Sequence, residues 1–209
     1  FRVVARKVEM LPGDKIEFTF GANEHLLRAQ SYADPQHEIR LSSDIDGDGT
    51  YEGISSNLLF SILPNKTFGL SATANSQVES GKPFRLLVRA EDEFFNLQRD
   101  FDGIVYVRDE HEELIGEISL VDGIGIGEIK LNSLGAHRLR LQAENPSLVG
   151  RSNPIRVFTK APDIKLFWGD IHGHTGISDG LGRTREAYFR YGRDVAALDV
   201  IALTDHGQV

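Results

Sequence analysis

With 209 residues, 40% apolar and 26% charged, the chain has the make-up of a core-forming protein rather than of a disordered segment. A formal net charge of −8 argues against a binder of nucleic-acid backbone, which needs clustered Lys and Arg, and no apolar run reaches the ~20 residues of a membrane span. Cysteine is absent, which excludes disulfides, thiolate ligands and cysteine nucleophiles, so any metal must rest on His and carboxylates.

The chain opens at Phe1 with neither an initiator Met nor a charged-then-apolar leader. It reads as a fragment whose leader has been removed or left out, and a secreted or periplasmic location is the expectation. Residues 1–67 read as a small β domain: VVARKVEM, KIEFTF after the turn LPGD, and HEIRLSS are short extended runs bounded by Gly, Pro, Asn or Asp. Within it, DIDGDGTYEG sets Asp44, Asp46 and Asp48 two residues apart with Gly49 next. That is the first half of an EF-hand-like loop, in which alternating carboxylates converge on Ca²⁺. The twelfth position of such a loop is here Ser55 rather than Glu, and the flanks read as strands. Two readings stay open: a helix-free calcium loop on these three aspartates, or an ordinary Asp/Gly turn joining two strands.

Residues 68–160 alternate more cleanly. Phe84, Leu86, Val88 and Ala90 share one face of PFRLLVRAED, as Leu139, Leu141 and Ala143 do in AHRLRLQAE. Seven candidate strands, near LSATA, FRLLVRAED, GIVYVRD, LIGEISL, IGEIKL, HRLRLQA and PIRVF, have the rhythm of an immunoglobulin-like sandwich without its Cys pair. Another β-sandwich or barrel fits the pattern as well.

From residue 161 the texture changes. KLFWGDIH predicts an apolar strand and SDGLGRT a Gly-rich loop. Thr184 is then a candidate N-cap for a helix with Tyr188, Tyr191, Val195 and Leu198 at helical spacing, and DVIALTDH predicts a second buried strand. Strand, helix and strand make one βαβ unit, which implies parallel strands. His172 and His174 then stand at the C-terminal end of the first strand, and Asp205 and His206 at that of the second, the edge where α/β barrels collect their active sites. An H-x-H pair can hold one cation between two imidazoles. Asp179 in the following loop can add a carboxylate, and His206 can join. His25, His37, His111 and His137 have no partner at ligand spacing and are expected to be surface or hydrogen-bonded residues.

GDIHGHT, SDG and ALTDHG resemble the first two motifs of the PHP superfamily, named for polymerase and histidinol phosphatase, and WGDIHGHT with TDHG is similar to its branch with N-terminal β domains. The resemblance implies a distorted α/β barrel, of which residues 161–209 would be the truncated start. It also implies two or three divalent metal ions, zinc, manganese or iron, and hydrolysis of a small phosphorylated substrate by metal-activated water. On this resemblance His172 and His174 would ligate the first metal, while Asp179 and His206 would bind another at the far side of the cluster. Asp205 would orient a ligand rather than bind directly. Arg183 is a candidate phosphate contact, with a solvated loop charge as the alternative. The family's later ligands lie beyond Val209.

Two other readings stand beside this one. An amidohydrolase-type metal hydrolase also begins with H-x-H at a barrel strand end, although SDG and TDH are the PHP features. A binding or structural protein built on β-sandwich modules, with the metal motif vestigial, is the non-enzyme reading. The fragment alone is expected to be inactive. Because a single βαβ unit cannot cover both faces of its sheet, residues after Lys160 should pack poorly, lean on the β domain or belong to a larger structure.

Overall fold

The computed structural model describes residues 11, 13–15, 17, 28–39, 41–44, 46–54, 58–178, 180 and 184–207. The expected strand VVARKVEM, most of KIEFTF, and the candidate site residues Asp179 and Arg183 lie outside them. Residues 1–31 and 32–209 form two compact units. In the first, the LPGD turn is closed by Leu11 N donating to Asp14 Oδ2 at 2.8 Å and Asp14 N donating to Leu11 O at 3.0 Å.

The second unit begins with a ribbon of four short strands, β1 (Asp34–Glu38), β2 (Leu41–Ser43), β3 (Glu52–Ile54) and β4 (Leu59–Ile62). β1 pairs with β4 and β2 with β3, both antiparallel, so the chain doubles back with the acidic loop at the tip. The ribbon is thin and leaves Leu59 and Phe60 exposed. His37 rests here, its Nδ1 3.1 Å from Asp34 Oδ2 and its ring edge-on to Phe60.

The body of the molecule is a β-sandwich made by β5 (Gly69–Ala74), β6 (Gln77–Glu79), β7 (Pro83–Glu91), β8 (Gly103–Arg108), β9 (Leu114–Leu120), β10 (Ile124–Lys130), β11 (Gly135–His137), β12 (Arg140–Ala143), β13 (Val149–Ser152) and β14 (Ile155–Phe158). One sheet has the order β10-β7-β5-β13-β12-β8-β9 and a smaller one β11-β14-β6. The outermost strands of the large sheet, β9 and β10, are consecutive in sequence, and an isolated bridge between Val121 and Ile124 joins them. The sheet therefore curls until its edges meet around one core. The period-2 pattern explains that core: Leu86, Val88 and Ala90 of β7 are buried together with Leu139, Leu141 and Ala143, while Phe84 packs against them half-buried.

Closure of the large sheet depends on β13 lying parallel to β5, with Gly150 opposite Leu70. A Cβ on Gly150 would collide with the Leu70 carbonyl, so only glycine admits this approach. His137, buried at 5% exposure, is satisfied on both ring nitrogens by Glu110 Oε2 at 2.8 Å and the Ser133 carbonyl at 2.9 Å. His111 is exposed beside Glu110. With His37 paired to Asp34, these three histidines are the surface or hydrogen-bonded residues expected, and His25 lies outside the described residues.

Asp92, 2% exposed, organises the loop after β7. Its carboxylate accepts from Asn65 N, Phe94 N, Asn96 N and Asn96 Nδ2, all at 2.8 to 2.9 Å. Burial pushes this carboxyl up, but the combined hydrogen bonds, from the Asn96 side chain first, hold it below the ordinary aspartate value.

After β14 come β15 (Gly169–Asp170), α1 (Arg185–Arg190), a π-helical turn (Tyr191–Val195) and β16 (Val200–Ile201). The two strands are parallel, with Gly169 opposite Val200 and Asp170 opposite Ile201. Thr184 is the N-cap, accepting from Ala187 N at 3.1 Å. Both strands are shorter and more open than the sequence predicts: each has two residues, and Trp168, Ile171 and Val200 are exposed. The reason is that, among the described residues, each strand has only the other as a neighbour, so the pleat has no sheet to extend into and no second layer to bury its apolar side chains. The segment leans on the sandwich through Trp168 Nε1 to Ser76 Oγ and Leu166 N to Gln77 Oε1, both 2.8 Å, and through Arg89 Nη1 to the Val195 carbonyl at 2.5 Å.

Replacement of Asp92 by Ala leaves several loop donors without their acceptor and should cost about 2–3 kcal/mol in urea unfolding. Because its folded pKa is depressed, the Asp92 contribution is fully present above the ordinary aspartate value of ~4 and is lost as pH falls towards the folded pKa. The stabilities of wild type and Asp92→Asn should therefore converge in acid and diverge at neutral pH. Gly150→Ala should fail to express as a folded protein or melt far below wild type.

Candidate functional site

Parallel pairing of β15 and β16 brings their C-terminal ends to one edge, and the residues that follow each strand meet there. Asp170 Oδ1 accepts from His172 N at 3.1 Å, turning the chain out of the strand. Further along, Thr204 N donates to the Gly173 carbonyl at 2.8 Å and Gly173 N donates to Thr204 Oγ1 at 3.2 Å, so the two segments stay laced together beyond the last regular pair. The Thr204 hydroxyl also lies 3.4 Å from His172 Nδ1.

The imidazoles of His172, His174 and His206 form a row. The ring centroids of His172 and His174 are 4.9 Å apart, and those of His174 and His206 are 4.6 Å apart. His172 and His206 are exposed at the ends of the row, whereas His174 is half-buried with its Nε2 fully covered. The three imidazoles do not close into a cage of three converging ligand atoms: among the described residues, only the aspartate trio offers three ligand atoms all within 4.8 Å of one another. Imidazole nitrogens suit zinc or iron, and manganese would need carboxylate oxygens beside them.

Asp205, expected to orient a ligand, grips the loop beyond His174. Its Oδ1 accepts from Thr175 N at 2.7 Å and Ser178 Oγ at 2.8 Å, and its Oδ2 accepts from Thr175 Oγ1 at 2.7 Å. It therefore fixes the loop that leaves His174. The Thr175 backbone N–H is the main cause holding this carboxyl below the ordinary value, with burial opposing and the Thr175 and Ser178 hydroxyls assisting. Thr175 is completely buried.

Tyr188 of α1 closes the underside of the site. Its hydroxyl donates to the Ala202 carbonyl at 3.0 Å, and a Cβ on Gly173 would collide with that hydroxyl. Burial pushes the Tyr188 phenol up, and the carboxylates of Asp170 and Asp205 push it further, so it stays a donor at neutral pH. The sequence reading named the histidines and Asp205 but missed Thr175, Ser178, Tyr188 and Thr204. For Thr175, Ser178 and Thr204 the signal was available in the hydroxyls of HTGIS and LTDH, which flank the ligand-type residues on both strands.

At the ribbon tip, Asp44 accepts from Gly47 N at 2.7 Å and Gly49 N at 3.0 Å, with both glycines at positive φ, and Asp48 Oδ1 accepts from Thr50 N. The loop is thus pre-folded around its first carboxylate.

No protein-family model matches the chain. It is similar to an uncharacterized protein of Chlamydia muridarum, 28% identical over 180 residues, and to one of Chlamydia trachomatis, 27% identical over 180 residues; in each case the match covers 83% of this chain. The chain spans 28% of the length of these relatives. Among solved structures it is similar to the CARDB domain of a Pyrococcus furiosus protein, crystallised in complex with di-metal ions, at 10% identity and a TM-score of 0.30, covering 46% of this chain and 94% of that one.

Gly173→Ala should displace the Tyr188 hydroxyl from Ala202 at a cost of about 1–3 kcal/mol. The readout is hydrogen exchange, which should quicken at residues 200–205 while the sandwich stays protected.

Proposed function

We propose that the chain carries the opening strand, helix and strand of a PHP-type metal-dependent hydrolase, preceded by a small β domain and an immunoglobulin-like sandwich. The whole protein is then a phosphoesterase acting on small phosphorylated molecules. The observation that carries this reading is the row of imidazoles from two strand ends, set beside a carboxylate that is committed to holding the loop between them. The immunoglobulin-like assignment draws support from the first sandwich strand, β5, which pairs antiparallel with β7 and parallel with β13.

In this reading His172 and His174 hold one divalent ion, and His206 with Asp179 serves a neighbouring one. When bound, such ions lower the pKa of water from ~15.7 towards ~7 and neutralise phosphoryl oxygens. The chain's own residues supply the frame. Asp205 locks the loop after His174 through Thr175 and Ser178, Thr204 ties the two segments together next to His172, and Tyr188 fixes the backbone at Ala202. Arg183 is assigned to phosphate contact.

A second reading concerns the ribbon tip, where we assign Ca²⁺ to Asp44, Asp46 and Asp48. The observation favouring it is that the three carboxylates each offer an oxygen within 4.8 Å of the others.

Calorimetric titration of the chain with Zn²⁺ or Mn²⁺ should give binding that weakens tenfold or more in His174→Ala. The whole protein loaded with the same metal should hydrolyse an aryl phosphate, and its His174→Ala counterpart should not. Equal rates in the two proteins would remove catalysis from this site and leave a sandwich-based binding protein. For the tip, Tb³⁺ luminescence sensitised by Tyr51 should be displaced by Ca²⁺ and abolished in Asp46→Asn.

A further inference from the structure

The outer face of the large sheet carries an alignment of charge that the hydrolase reading does not use. Arg140 of β12 stands directly opposite Arg108 of β8 on one side and Arg151 of β13 on the other. Three guanidinium groups thus share one register row across three adjacent strands, and all three line a shallow depression of about 360 Å³. Like charges set directly opposite on neighbouring strands repel one another. Among the described residues one carboxylate lines the depression, that of Glu112, and it pairs with Arg140, while the Glu112 backbone carbonyl accepts from Arg108 Nη1 at 3.0 Å. Arg151 is exposed, and its side chain has no hydrogen bond or ion pair among the described residues.

We propose that this arginine row is a binding site for a small ligand bearing two or more phosphate or sulfate groups. Guanidinium forks match the oxygens of such groups in bidentate fashion. With strands about 4.8 Å apart, three forks span about 10 Å, enough for two or three tetrahedral groups in line. A short ligand is favoured over a long polyanion, because the chain as a whole carries a charge of −8, which repels a polyanion that extends beyond the row.

The rim is built rather than floppy. Asp109 Oδ1 accepts from His111 N at 2.8 Å and Glu113 N at 3.0 Å, which sets the β8–β9 turn, and Glu110 is held from the side by buried His137. Glu112 sits in that turn at a φ of 65°, placing its carboxylate over Arg140. An arriving anion exchanges this one carboxylate for several charge-assisted hydrogen bonds.

The test is calorimetric titration of the chain in EDTA, which strips metal from the histidine row and so separates this site from the hydrolase reading. The probes are sodium tripolyphosphate and, separately, a trisulfated disaccharide. At least one should bind with one-to-one stoichiometry. Binding should weaken tenfold or more in Arg151→Gln, disappear in the Arg108→Gln, Arg140→Gln, Arg151→Gln triple variant, and fall steeply with added salt. The tighter probe identifies phosphate or sulfate as the group recognised. It should raise the melting temperature of the wild type but not of Arg151→Gln, whose own melting temperature should equal or exceed that of wild type. Absence of binding by both probes at millimolar concentration in 100 mM salt, or equal binding by the triple variant, overturns the proposal.

Discussion

The candidate metal site depends on a guanidinium that belongs to the sandwich. Arg89 of β7, its side chain 18% exposed, is ion-paired with Glu91, Nε lying 2.9 Å from Oε1, donates to Ser71 Oγ from both Nε and Nη2, and reaches the Val195 carbonyl with Nη1. Taking a charge this far out of water is costly unless every donor finds an acceptor, and here the acceptors come from both sides of a junction. Val195 ends the π-helical turn after α1, where carbonyls lack intrahelical partners and a cation is favoured. A strand–helix–strand piece with two-residue strands holds little core of its own, so this contact sets where its helix lies.

From that anchor the geometry of the site follows outward. The helix positions Tyr188, whose hydroxyl fixes the backbone at Ala202 and leaves room only for glycine at position 173. The backbone at 202–205 then sets Thr204 and Asp205, and Asp205 gathers Thr175 and Ser178. The histidines are held indirectly, through the loop and strand ends that carry them. This is the arrangement a metal site needs, since ligands that wander lose affinity to entropy while a frame of hydrogen bonds keeps them in place.

How much of this could be read in the sequence varied with the length of the repeating pattern. The sandwich was legible because Leu86, Val88, Ala90, Leu139, Leu141 and Ala143 fall on alternate positions, and burial on one face of a pleat leaves that signature. The N-cap Thr184 was legible for the same local reason. The helix was only partly so: Val195 is buried but Tyr191 is exposed, and the π-helical turn that interrupts the regular α spacing left no signature in the pattern. The strands at KLFWGDIH and DVIALTDH were over-read, since apolar composition signals strand potential while strand length depends on neighbours. At the site, the histidines declared themselves by type and spacing. The partners of Asp205 did not, because hydroxyls are common and only the fold shows which carboxylate they meet.

The two-stranded parallel sheet has a consequence for the behaviour of the chain in solution. Among the described residues both outer edges of β15 and β16 are open, and Phe167, Trp168 and Ile171 stand exposed beside one of them. Open backbone next to apolar side chains is a template for foreign strands, which proteins usually blunt with charge or cover with further chain. Asp163 and Lys165 give some charge upstream of β15, but no proline or bulge interrupts the edge itself. Wherever those edges are left uncovered, edge pairing is the hazard this segment meets, and it would involve the very backbone that presents the histidine row.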